Sequence, residues 1–228
     1  MSKYDFVTNE DTNSIFSDSR EIFTHRHMKI ISLYSHLSLR YYDDKLDDLP
    51  DSLESLYLPR YFNQPINNLP KSLKKLSIGD FYGHDEFNHP IDNLPNSLEY
   101  LKLGGKFNQS VDFLPNSLKI IIIDGQFNQP IDNLPNTLEK LYLGKKNSLY
   151  QFNQSINNLP KSLKLLLLNI STDYIIINNL PDELEELILK NFEINCTIPK
   201  NIKKISLLND KLINKIPKQY HAICDCKK

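Results

Sequence analysis

The chain has 228 residues, 40% of them hydrophobic, and a formal net charge of −1. That length allows one or two ordinary domains, and the charge balance removes the electrostatic case for nucleic acid. Three cysteines (Cys196, Cys224 and Cys226) are too sparse and odd a set for a disulfide scaffold, and the longest apolar runs, Ile120–Ile123 and Leu165–Leu168, are far too short to span a bilayer.

The balance hides an asymmetry. Residues 1–54 carry eleven acidic and six basic side chains, a net of −5, while residues 200–228 carry eight lysines against Asp210 and Asp225, a net of +6. In chain order, residues 1–33 read as an N-terminal cap segment. Met1-Ser2-Lys3-Tyr4-Asp5 opens it with no apolar run of signal-peptide type, so an intracellular, cytoplasmic protein is expected. His25 and His27, taken with His36, have nonstandard spacing and no accompanying cysteine pairs, so surface histidines are the better reading than zinc ligands.

Residues 34–219 read as a repeat array. Leu-Pro or Ile-Pro pairs end at Pro50, Pro70, Pro95, Pro115, Pro135, Pro160, Pro181, Pro199 and Pro217, a period near twenty. Such a period predicts a solenoid of about eight to nine coils, each burying its apolar side only against its neighbours. The good copies lie between residues 53 and 168. Each unit has two parts. Leu-x-x-Leu-x-Leu, as in Leu98, Leu101 and Leu103, predicts a short strand with Leu101 and Leu103 inward and Tyr100 and Lys102 outward; stacked coils pair these strands in parallel. Phe-Asn-Gln/His-Pro/Ser-Ile/Val-x-x-Leu-Pro has too much proline for a helix and predicts an extended or turn-like return.

Within that return, Phe62, Phe87, Phe107, Phe127 and Phe152 predict an aromatic spine. Asn63, Asn88, Asn108, Asn128 and Asn153 follow them, and are expected to satisfy inward-facing backbone groups of the tight coil. Ser72, Ser97, Ser117, Thr137 and Ser162 are placed to bond the backbone at the turn into each strand. Tyr42-Asp43 reads as a worn first copy of Phe-Asn, and Asp173-Tyr174 as a decayed late one. Asp80–His84 and Lys145–Leu149 are five-residue insertions expected to bulge from one edge. Asp43, Asp44, Asp47, Asp48 and Asp51 lack the turn glycine and distal bidentate carboxylate of a calcium loop and read as a solvated cap. Residues 220–228 are a basic tail in which Cys224-x-Cys226 has neither a partner pair nor a lipidation box.

The phrase Phe-Asn-x-Pro/Ser-Ile followed by Leu-Pro-x-Ser-Leu-x-x-Leu-x-Leu resembles the FNIP repeat, a relative of leucine-rich repeats known from amoebae and the giant viruses that infect them. The resemblance implies a leucine-rich-repeat-like, right-handed coil with one parallel β-sheet, an irregular convex side and little helix. It also implies a role in binding proteins, and supplies no catalytic residues. For a viral source, the compartment is the host cytoplasm. Some such proteins resemble ubiquitin-ligase adaptors with an F-box ahead of the repeats; Asp11–Lys29 has no Leu-Pro start and no long amphipathic pattern of that kind.

Leucines vary little between coils, whereas outward strand positions do vary, as a binding surface on a fixed scaffold should. Tyr100, Ile120, Ile122, Tyr142, Leu165, Leu167 and Ile188 are the candidate partner-binding residues. No phosphate-cradling glycine loop, nucleophile elbow or zinc-protease motif is present, and no enzyme activity, cofactor or metal is expected. The expected function is a protein-interaction scaffold for an unidentified protein or peptide, with no nucleic-acid or membrane partner. Self-association through the oppositely charged ends and a ligase adaptor role are the alternatives.

Overall fold

Every Leu-Pro or Ile-Pro pair closes a tight turn. The proline carbonyl accepts from the amide three residues on, from Leu53 to Pro50 at 3.0 Å, Leu98 to Pro95 at 3.0 Å and Ile202 to Pro199 at 3.2 Å. Proline loses nothing there, because the turn uses its carbonyl and its fixed φ but no N–H. The leucine so positioned is fully buried in each of the good copies, and the chain leaves the turn directly into a strand.

The computed structural model describes residues 6–9, 13–17, 29, 31–79, 85–144, 152–169 and 175–226. Its strands are β1 (Phe6–Asn9), β2 (Ser14–Ser17), β3 (His36–Leu39), β4 (Ser55–Leu58), β5 (Lys75–Ile78), β6 (Tyr100–Leu103) and β7 (Ile120–Ile123). They continue with β8 (Lys140–Leu143), β9 (Leu165–Leu168), β10 (Ile175–Ile177), β11 (Glu186–Leu189), β12 (Phe192–Ile194), β13 (Lys204–Leu207) and β14 (Cys224–Cys226). Twelve of them form one sheet in the order β1-β2-β3-β4-β5-β6-β7-β8-β9-β11-β13-β14, and β10 pairs β12 in a small second sheet. Every neighbouring pair from β2 onward is parallel; only β1–β2 is antiparallel. This is the parallel, coil-per-strand solenoid expected from the period. Helix among the described residues is confined to two 3₁₀ stretches near the end, Asp210–Lys215 and Lys218–Ile223, and to Lys29 and Ile31. The sheet runs past the repeat array, taking in β1 and β2 before it and β14 after it.

Inside the coils, the five repeat phenylalanines are 0–1% exposed. Their rings stack face to face, with centroids 6.1 Å apart for Phe62–Phe87 and Phe87–Phe107, 6.0 Å for Phe107–Phe127 and 6.2 Å for Phe127–Phe152. Tyr42, the worn first copy, is buried like them. Its hydroxyl donates to the Lys45 carbonyl at 2.5 Å. Burial, helped by the carboxylates of Asp44 and Asp47, pushes that phenol up to about 12.

The asparagines do something different from what their place in the sequence predicts. They lie at the rim, exposed or half-buried, and join one coil to the next. The backbone amide of each repeat asparagine donates to the side-chain oxygen of the one before: Asn88 to Asn63 at 3.2 Å, Asn108 to Asn88 at 2.9 Å, Asn128 to Asn108 at 2.8 Å and Asn153 to Asn128 at 2.9 Å. Asp43 starts the ladder by accepting from the Asn63 amide at 2.8 Å. The following glutamine adds a second donor to the same oxygen, as Gln129 does to Asn108 at 3.2 Å. The hydroxyl file also works between coils: Ser72, Ser117 and Ser162 each donate at 2.7 Å to the buried leucine carbonyl of the preceding turn. Parallel coils with few contacts within themselves leave such groups nowhere else to bond.

Where the Phe-Asn phrase decays, a backbone ladder replaces the side-chain one. Ile175 to Ile177 pair in register with Phe192 to Ile194, and Ile177 and Phe192 are buried. Asp173 and Tyr174 themselves, and the insertions Asp80–His84 and Lys145–Leu149, lie outside the described residues, as do His25 and His27. After β7 the turn is close enough to demand glycine. Gly125 has φ +87°, and a Cβ there would sit 1.8 Å from the Gly105 carbonyl oxygen of the neighbouring coil.

Candidate partner-binding face

One face of the large sheet packs on the leucine and phenylalanine core; the other carries the residues that differ from coil to coil. Register fixes how they line up. The first strand positions form a file running His36, Ser55, Lys75, Tyr100, Ile120, Lys140, Leu165, Glu186 and Lys204. The third positions form a second file beside it: Phe16, Ser38, Tyr57, Ser77, Lys102, Ile122, Tyr142, Leu167, Ile188 and Ser206. Strands are about 4.8 Å apart, so each side chain touches those of the coils on both sides.

All seven candidate residues from the sequence fall on these two files and in adjacent coils from β6 to β11. Tyr100, Ile120, Tyr142, Leu165 and Ile188 are half-buried. Ile122 and Leu167 are 4% and 8% exposed, yet neither belongs to the inner hydrophobic cluster; they are covered by their neighbours in the file. The face is therefore a packed layer with its tops open to solvent.

Polar groups punctuate this layer. The Lys75 ammonium lies between two rings, 5.1 Å from the centre of Tyr57 and 4.8 Å from that of Tyr100. Lys102 is 2% exposed, and its Nζ donates to the Gly79 carbonyl at 3.3 Å. Burial holds the Tyr100 phenol above its usual range, with Tyr57, Tyr142 and Asp124 adding to it; burial and Glu186 do the same for Tyr142. Both hydroxyls are neutral donors at physiological pH.

At the β2 end, a pocket of about 400 Å³ opens on the same face between Phe16, His36, Ser38 and Tyr57. The Ser35 hydroxyl lies 2.7 Å from His36 Nδ1 and accepts from Asn13 Nδ2 at 2.9 Å, which fixes the imidazole at the pocket's edge. The sequence reading missed Phe16 and His36 as members of the face. The signal for His36 was present, since His36-Leu37-Ser38-Leu39 alternates as the other strands do; Ser14-Ile15-Phe16-Ser17 lacks the second leucine.

Cys196 and Cys224 are half-buried, and burial raises the Cys196 thiol, which keeps it protonated. Among the described residues no cluster of His, Cys, Asp and Glu is arranged to hold a metal ion, and no helix is long and apolar enough to cross a membrane.

Comparison with known proteins agrees with this architecture. The FNIP repeat family matches at residues 42–81, 87–124 and 107–146. Among solved structures, the chain is similar to internalin C2 from Listeria monocytogenes, with 17% identity, 86% of this chain and 80% of that chain covered, and a TM-score of 0.51. It is also similar to CroV588, described as a circular LRR protein (22% identity, TM-score 0.40), covering 90% of this chain and 41% of that one. A further match is YopM from Yersinia enterocolitica (19% identity, TM-score 0.36), covering 78% of this chain and 48% of that one. The chain thus spans less than half the length of the last two. No curated protein sequence matches. The first match begins at Tyr42, the worn copy that the structure seats like the repeat phenylalanines, and the three together take in the stacked coils around Phe62, Phe87, Phe107 and Phe127. The chain thus carries FNIP repeats over residues 42–81 and 87–146, and folds as a leucine-rich-repeat-like solenoid.

Proposed function

We infer that this solenoid is a non-catalytic protein-interaction scaffold, and that it takes its partner on the two-file strand face. The observation that carries this reading is the register. It sets Tyr100, Ile120, Ile122, Tyr142, Leu165, Leu167 and Ile188 side by side as one apolar and aromatic layer on a scaffold whose other positions repeat. A layer of this kind on a free surface is characteristic of interaction sites. Tyrosine adds large contact area with a polar tip and little rotamer entropy, which suits a face meant to bind. The test uses the half-buried first file, where substitution spares the core. In the double variant Ile120→Glu, Leu165→Glu, each new carboxylate stands beside Lys140 in register, so the fold is kept while the apolar layer is broken. Partners recovered with the parent chain by affinity purification are expected to be lost with the variant, at an unchanged circular dichroism spectrum. Recovery of the same partners by both proteins removes the face from consideration.

A further inference from the structure

A second groove lies away from the strand face, over the turns that lead into β7, β8, β9 and β11. Its volume is about 780 Å³, and asparagine is the commonest residue in its walls, with Asn133, Asn136, Asn157, Asn158 and Asn179 among them. Asn133, Asn158 and Asn179 occupy the same place in successive coils. Each is tied back by its NH₂ group: Asn133 donates to Asp112 at 3.1 Å, Asn158 to Asp132 at 2.9 Å, and Asn179 to the main-chain oxygen of Asn157 at 3.0 Å. The last rung differs because Asn157 stands where the two earlier coils have aspartate. Its side-chain Oδ1 accepts nothing, and is a buried acceptor without a hydrogen-bond donor. Such an acceptor is costly and calls for a partner. Because no rung holds the Asn157 amide, rotation about its broad terminal torsion turns it toward the groove without breaking the ladder.

One coil earlier, the place of Asn133 is taken by Phe113. It is 70% exposed, whereas the five repeat phenylalanines are buried. An exposed aromatic ring therefore stands outside the groove's lining, one coil ahead of Asn133 and in line with a file of amides that supplies one per coil. We propose that this groove binds a neutral oligosaccharide lying across the coils. The C–H face of a pyranose ring packs on an exposed aromatic ring, and a carboxamide presents one donor group and one acceptor to adjacent hydroxyls. A chain of sugars repeats such hydroxyl pairs, as the coils repeat amides. Charge selects against acidic glycans. The walls carry Asp132, Asp182 and Glu183 against Lys161, so uronic or sulfated sugars meet net negative charge.

The site is separate from the strand face and its test is independent of the protein partner. The intact chain is titrated with neutral tetrasaccharides of glucose, mannose, galactose and N-acetylglucosamine, and with a heparin-derived tetrasaccharide, by isothermal calorimetry and saturation-transfer NMR. At least one neutral tetrasaccharide is expected to bind and heparin is not. Phe113→Ala and Asn136→Ala, both at exposed positions outside the amide rungs, are each expected to weaken that binding roughly tenfold or more. The Ile120→Glu, Leu165→Glu variant should bind the sugar as the parent does. No binding by any neutral sugar, binding by heparin alone, or affinity unchanged in both groove variants overturns the proposal.

Discussion

Asn108 shows how much one side-chain oxygen does in this fold. It accepts from the Asn128 backbone amide at 2.8 Å and from the Gln129 side chain at 3.2 Å, while its own amide is bonded to Asn88. Asn108→Ala removes both bonds to the next coil and strands a half-buried N–H. At about 0.5–1.5 kcal/mol per bond, the expected loss is roughly 1–3 kcal/mol in urea unfolding. Asn108→Asp keeps the acceptor, and Asp43 already shows a carboxylate accepting from Asn63 in the same manner, so this variant should lose clearly less. Equal losses in the two variants would mean that the oxygen is incidental and that packing of the side chain is what matters. The sequence placed these asparagines correctly but not their partners. A repeat phrase specifies what each coil contains, whereas the direction of a bond between coils depends on how the coils are stacked.

At the scale of the coil, a second ladder runs along the residue just before each strand. Glu54, Lys74, Glu99, Lys119, Glu139, Lys164, Glu185 and Lys203 alternate in sign without a break from β4 to β13. Four pairs are closed: Glu54–Lys74 and Glu99–Lys119 at 2.9 Å, Glu139–Lys164 at 3.2 Å and Glu185–Lys203 at 2.8 Å. The hydrogen bond and charge of Glu99 hold the Lys119 ammonium above its usual range, with Glu139 adding to it; Lys203 holds the Glu185 carboxyl below its own. The linkage has opposite signs at the two ends of the pH scale. The Glu185 contribution is present at neutral pH and is lost as pH falls through the carboxylate range; that of Lys119 is lost as pH rises through the lysine range. Exposed pairs are individually weak, and salt screens them. Lys119→Glu sets three carboxylates in consecutive coils, so its thermal midpoint should fall below the parent's at low ionic strength, with the gap closing as salt is added. A midpoint equal to the parent's at low salt would show the alternation to be without energetic effect. The pattern was there to be read in the sequence, one letter ahead of each Leu-x-Leu, but its meaning depends on parallel register. The close packing of Ile122, Leu167 and Lys102 was less legible. Alternation marks them as outward, and nothing in a single strand says how tightly its neighbours will cover them.

Over the whole molecule, stability should follow the ladders and not the chain length. A solenoid coil contacts only its neighbours, so global cooperativity rests on the strength of each interface between coils. The phenylalanine stack is continuous from Phe62 to Phe152, and the asparagine ladder from Asp43 to Asn153. Beyond Leu168 they give way to the β10–β12 backbone pair and two 3₁₀ stretches. At the other end, an antiparallel β1–β2 pair closes the sheet. Native-state hydrogen exchange should therefore find the strongest protection in β5 to β8 and progressively weaker protection through β11, β13 and β14. Position then decides what a lost ring does. Phe107→Ala and Phe192→Ala each delete a buried aromatic side chain, at a local cost of about 3–5 kcal/mol. In the middle of the stack, the first severs the two coil interfaces on which the halves depend. It should split the urea transition into two steps and lower protection on both sides of β6. Near the end of the array, the second should cost protection only from β10 onward and leave β4 to β8 as in the parent. If instead both variants lower protection uniformly along the sheet, the molecule unfolds as a single unit and the coil interfaces are too strong for nearest-neighbour behaviour to appear.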